Sequence, residues 1–84
     1  MLTIGDLIKN KDYDYISYRL TPPEDWPEES IFAGICKSKN GELIPLDGDT
    51  YCKSEEVVFF EEWCDDEVKN GLTVVVKTEW SSTR

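Results

Sequence analysis

The sequence has no histidine. That absence removes the side chain most often used as a general base near neutral pH, the Ser–His and Cys–His nucleophile systems, and the commonest zinc ligand. Cysteine is sparse: Cys36, Cys52 and Cys64 are odd in number and no two stand in Cys-x-x-Cys spacing, so no disulfide framework is expected. A zinc site would need all three thiols plus a carboxylate. No apolar run approaches the roughly 18 residues that span a bilayer. The opening MLTIGDLIKN has neither a basic region nor a long apolar stretch, so it does not read as a secretory leader. Together these absences point to a cytoplasmic protein with no membrane partner. Positive charge is also scarce where negative charge is dense. Residues 42–67 carry ten acids and one base, Lys53, while the rest of the chain carries eight of each, so the whole net charge of −9 lies in one block. A field of that sign repels nucleic acid and attracts basic protein surfaces or cations.

Eighty-four residues, 39% of them apolar and ten of them aromatic, suffice for one small acidic domain over residues 1–84. A chain of this size buries roughly 60% of the surface that its unfolded form exposes. Thr3-Ile4-Gly5-Asp6 opens like a helix, with Thr3 as cap, Asp6 in the first turn, and Ile4, Leu7 and Ile8 on one face. The helix is expected to end near Asn10. YDYISYRL, from Tyr13 to Leu20, alternates as a strand does: Ile16, Tyr18 and Leu20 point one way, and Tyr13, Tyr15 and Arg19 the other. TPPEDWPEES then holds three prolines and four acids and reads as a loop, which Trp26 is expected to tack to the body.

Ser30–Ser38 and Glu42–Asp47 flank an Asn-Gly pair, the strongest short signal of a type I′ hairpin. With Asn40 and Gly41 at the turn, Lys39 faces Glu42, Lys37 faces Ile44 and Ile35 faces Leu46. Ile31, Ala33, Ile35, Ile44 and Leu46 then share a face, read here as the core. Pro45 suits an edge or a strand end. Glu55–Cys64 and Leu72–Trp80 read as a second hairpin closed at Asn70-Gly71. LTVVVKTEW alternates, with Leu72, Val74, Val76, Thr78 and Trp80 on one side. VVFFEEWC does not; it suggests a strand buried on both sides, or part helix. The expected fold class is α+β: a short N-terminal helix packed on a mostly antiparallel sheet of about five strands with two hairpins.

Within the acidic block, LDGDTY presents Asp47 and Asp49 on either side of Gly48. As a calcium loop counted from Asp47 it fails: position 5 is Tyr51, position 6 is Cys52 and position 12 is Val58. A looser divalent site from Asp47, Asp49 and Glu55 or Glu56 stays open. Acid–base catalysis by paired carboxylates needs one of them held in an apolar pocket, for which so small a domain has little room; no enzyme activity and no cofactor are expected. Asp-Gly-Asp is also ordinary turn chemistry. The remaining reading is a partner surface. On an extended strand, Asp47 and Asp49 would lie roughly 6.7 Å apart, and Glu55, Glu56, Glu61, Glu62, Asp65, Asp66 and Glu67 would continue the series. Such spacing imitates a phosphate backbone, which a basic cleft built for DNA would accept. Tyr13 and Tyr15, facing away from Ile16 and Tyr18, are the aromatic candidates for contact. Tyr18, Phe32, Phe59, Phe60, Trp63 and Trp80 are expected in the core, and the three thiols as small buried apolar groups.

YDYISYRL, ICKSKNGELIPLDGDTY, and EEW followed by GLTVVV together resemble small acidic accessory proteins and domains of Firmicutes phages and conjugative elements, some of them pieces of large polyvalent proteins. The likeness runs from Asp12 to Trp80. It implies a mobile-element setting, in which short acidic proteins disarm host defences, and it carries no catalytic residues. IGDLIKNKDY is similar to the opening of an acidic anti-CRISPR protein that occupies the DNA-binding cleft of its nuclease. The expectation is therefore a non-enzymatic interaction protein that binds a basic protein surface, such as a nucleic-acid-binding enzyme of host defence, as a DNA mimic. The alternative is a structural or self-associating module, a homodimer, using an uncovered sheet face that bears Tyr13, Tyr15, Phe32 and Val57.

Overall fold

A five-residue helix, α1 (Ile4–Ile8), opens the chain. Its start is fixed locally. Thr3 Oγ1 accepts from the Asp6 N–H at 3.3 Å, and Asp6 Oδ2 accepts from the Thr3 N–H at 3.0 Å, closing a reciprocal capping box. The strands are β1 (Tyr15–Leu20), β2 (Ile31–Lys39), β3 (Glu42–Pro45), β4 (Val57–Trp63) and β5 (Gly71–Val76). The computed structural model describes residues 1–23, 25–26, 29–47, 51 and 53–77.

The strands form one mixed sheet in the order β3-β2-β1-β5-β4. β2–β3, β1–β2 and β4–β5 are antiparallel; the central pair β1–β5 is parallel, with Tyr15 opposite Gly71 and Leu20 opposite Val76. The domain is thus a small sheet with one short helix, its two hairpins joined through a parallel seam. The β2–β3 turn has Asn40 at φ 54° and Gly41 at φ 79°, the left-handed pair that a type I′ turn requires. Its register is the expected one, with Lys39 opposite Glu42 and Lys37 opposite Ile44.

The core face is not the expected one. Ile4 and Ile8 bury against Ile16, Tyr18, Cys36, Val57, Leu72, Val74 and Val76. Because Cys36 lies opposite Ile16 and Gly34 opposite Tyr18, the core side of β2 is Gly34, Cys36 and Ser38. Small side chains there leave room for the Tyr13 and Tyr18 rings. Of the five residues expected inside, Ala33 packs against the core, Ile31 and Ile35 are half-buried, and Ile44 and Leu46 are exposed. A bulge contributes: Tyr18 pairs with Gly34 but Arg19 with Phe32, so Ala33 is an extra residue and alternation breaks.

A second bulge resolves the irregular pattern of VVFFEEW. Val57 pairs with Val76 and Phe59 with Val75, leaving Val58 as the extra residue. Val57, Phe60 and Glu62 then lie on the core side, and Phe59, Glu61 and Trp63 on the other. β4 is an edge strand, so it is not buried on both sides: Val58, Phe59 and Phe60 are all exposed, as is Phe32 on β2. Trp26 is also exposed. Trp80 and Thr78 lie outside the described residues.

The side of the sheet away from α1 carries Tyr15, Arg19, Phe32, Ile35, Ile44, Phe59, Trp63 and Val75. Trp63 lies over Gly71, where a Cβ would stand 2.6 Å from the indole. Its Nε1–H donates to Thr73 Oγ1 at 3.1 Å, and its ring meets Tyr15 edge-on at 5.7 Å. Tyr15 and Phe32 therefore sit on this face as expected; Tyr13 and Val57 do not, being part of the core.

Candidate functional site

The acidic block divides between the two edges of the sheet. Glu42 and Asp47 flank β3 at one edge, and Glu55 to Glu67 follow β4 at the other, with β2, β1 and β5 between them. Among the described residues, the acids of the block therefore do not form a single ladder on one face. Alternation separates them further, since Glu61 lies opposite Thr73 and its neighbour Glu62 opposite Leu72, on opposite sides of β4.

Asp47 serves the fold. Its Oδ2 accepts from the Ile35 N–H at 2.7 Å, and both carboxylate oxygens lie 2.9 Å from the Tyr51 hydroxyl that donates to them. The Tyr51 ring packs on Tyr18 at 4.7 Å. Asp47 thus ties the end of the β2–β3 hairpin to the segment that covers the core. Asp49, Gly48 and Cys52 lie outside the described residues. Among the described residues, no three acids or cysteines cluster as a metal would need.

Glu62 is engaged as well. It takes the Lys11 ammonium at 3.1 Å and the Tyr13 hydroxyl at 3.1 Å. The Lys11 contact, then the Tyr13 bond, hold its carboxyl below the usual range. Tyr13 itself is buried, and burial together with the Glu62 bond pushes its hydroxyl up to about 12. Tyr13 is consequently a core residue and no contact surface. It precedes the strand, where Asp14 interrupts the alternation that would have turned it outward. Its N–H donates to Ser38 Oγ at 2.8 Å, and its carbonyl accepts from the Ser38 N–H at 2.9 Å.

Asp65 shapes the turn after β4. Its Oδ1 accepts from the N–H groups of Glu67 at 2.8 Å and Val68 at 2.7 Å, and its own N–H donates to the Val68 carbonyl. This leaves Glu61, Asp66 and Glu67 exposed around the far end of β4, beside Asp65 and exposed Cys64. Glu55 and Glu56 are half-buried at the near end, where Thr3 bridges to Glu56. Lys53, the sole base of the block, is held at the β3 edge by Glu42 at 2.6 Å.

Cys36 is buried, and burial with the Asp47 charge nearby pushes its thiol up to about 12, so it stays protonated and is a poor nucleophile. A groove of about 400 Å³ beside the Thr3–Glu56 bridge is lined by Met1, Ser54, Glu55, Glu56 and Lys77. No family model, curated protein or solved structure matches the chain.

Sequence reasoning placed the β4 acids on a surface but missed the exposed apolar residues of the same strand. Val58, Phe59 and Phe60 read as core by type. The signal that finds them is the pairing of two adjacent phenylalanines with two adjacent glutamates, a pattern that no strand with one dry face can satisfy.

Proposed function

We propose that the chain is a non-enzymatic interaction module that acts by occupancy, docking the acidic end of β4 and the turn after it on a basic protein surface. The observation that carries this reading is the exposed group Glu61, Asp65, Asp66 and Glu67 on one continuous stretch, while the block's sole base is engaged with Glu42 at the opposite edge. The charge disfavours DNA as a direct ligand and suits a protein surface evolved to hold phosphates. A defence nuclease or restriction enzyme is such a partner, and the chain would inhibit it as a mimic of DNA. The mimicry rests on this local cluster, since Asp47 and Glu62 are committed to internal contacts. The test compares proteins captured from a bacterial lysate by the wild type and by E61Q/D66N/E67Q, at low and high ionic strength. Partners should be lost both on neutralisation and at high salt. Retention of the same partners by the neutral variant refutes the reading.

A second reading has its own observation. Phe32 and Phe59 are each 55% exposed on the sheet side away from α1, with Ile35, Ile44 and Val75 on that same side. A module that self-associates would bury them against a second copy. Sedimentation at low protein concentration separates the two: a stable dimer favours this reading, a monomer the first.

A further inference from the structure

The two sheet edges are built differently. β3 has four residues and ends in Pro45, which has no N–H to offer, so that edge is guarded. β4 has seven residues with neither proline nor lysine. The chain itself uses the outer side of β4 at its start. The Val57 N–H donates to the Leu2 carbonyl at 2.8 Å and the Ile4 N–H to the Glu55 carbonyl at 3.3 Å, which makes the antiparallel bridge between Thr3 and Glu56. The segment then leaves the edge, because α1 begins at Ile4. Met1 reaches the level of Val58, and from Phe59 to Trp63 no described residue pairs with the outer side.

We infer that Phe59–Trp63 of β4 is a docking edge for an extended segment of a partner protein carrying lysine or arginine side chains, which adds a sixth strand in line with Leu2–Ile4. This rests on the proposed cationic partner and names how it is held: by ladder hydrogen bonds to the β4 backbone, with side-chain charge supplying the selection. Charge complementarity decides the occupant. Every charged side chain from Glu61 to Glu67 is acidic, so a second copy of this chain, itself at −9, meets like charge there. A segment alternating basic and apolar residues would pair its cations with Glu61, Asp66 and Glu67 and lay its apolar side chains on the other side of the strand, beside Phe60.

The test uses two synthetic peptides of equal charge, acetyl-Lys-Val-Lys-Val-Lys-Val-Lys-amide and its counterpart with every Val replaced by Pro, which cannot form a ladder. Titration into the labelled full chain is followed by NMR and amide hydrogen exchange. The expected result is at least tenfold tighter binding of the valine peptide, with new protection confined to alternate amides between Phe59 and Trp63, and a several-fold loss in E61K. Equal binding of both peptides overturns the docking edge and leaves the acidic surface standing. Binding of neither overturns both. Protection on β3 or on the sheet side away from α1, or dimerisation through β4 without peptide, also overturns it.

Discussion

Replacing Gly71 by alanine should destabilise the domain, although the general rule says otherwise. Glycine inside a strand costs about 0.5–1 kcal/mol relative to alanine, so the substitution would ordinarily help. Here a Cβ would stand 2.6 Å from Cδ2 and Cε2 and 2.7 Å from Cε3 of Trp63. Carbon atoms settle at about 3.5–4.0 Å, so the indole must retreat by roughly 1 Å. It is held by its bond to Thr73 and by the Tyr15 edge contact, and retreat weakens both. Overpacking of this kind costs about 1–3 kcal/mol, and the relief of strand glycine offsets part of it, so a net loss of about 1 kcal/mol is expected, or roughly 4–8 °C in Tm for a domain of this size. Thermal and urea unfolding followed by circular dichroism measures it. The decisive step is a double-mutant cycle. In a W63A background the same alanine meets no ring and should be neutral or stabilising. A G71A protein as stable as the wild type, or one that loses the same amount with Trp63 absent, would show that the ring does not press on this backbone.

Two other outcomes follow from the buried groups. Tyr13 and Cys36 both have ionisation pushed up to about 12, from ordinary values of 10.0 and 9.0. A raised value means that stability is complete below the unfolded value and falls as pH climbs toward the folded one; unfolding should therefore ease between about pH 9 and 12, and C36A/Y13F should flatten that limb of the stability–pH curve. D47A, in contrast, should cost about 1 kcal/mol at neutral pH by leaving the Ile35 N–H and the Tyr51 hydroxyl without their acceptor. An unchanged urea midpoint for D47A would return Asp47 to the list of surface acids.

What the sequence made legible was local. The capping box at Thr3 and Asp6 and the type I′ turn at Asn40-Gly41 depend on a few adjacent residues, and both appear as read, including the hairpin register. Register, however, fixes only which residues oppose one another. Whether β2 turns Ile35 or Cys36 inward is decided by β1, where Tyr18 and Ile16 need small neighbours, and by the extra residue Ala33. Neither is a property of the β2–β3 hairpin. The bulge at Val58 likewise hides from a period-2 count, so the exposed phenylalanines of β4 read as core. The candidate site suffered for the same reason. Closeness in sequence placed Asp47 with Glu61 to Glu67, whereas the strand order sends them to opposite edges.

The parallel seam has a consequence for how the molecule is made. Tyr15 and Gly71, which face each other in it, are 56 positions apart. β1 gains β2 as a neighbour early, through a connection of moderate length, but its other flank waits for the fifth strand. Until that strand arrives, the middle of the sheet is a second raw edge, and the greasy surface of Ile16 and Tyr18 has only half its cover. A nascent or clipped chain lacking residues 71–76 would keep β1 and the β2–β3 hairpin but leave β4 with no strand to pair, sticky along the flank of β1 that the finished domain covers.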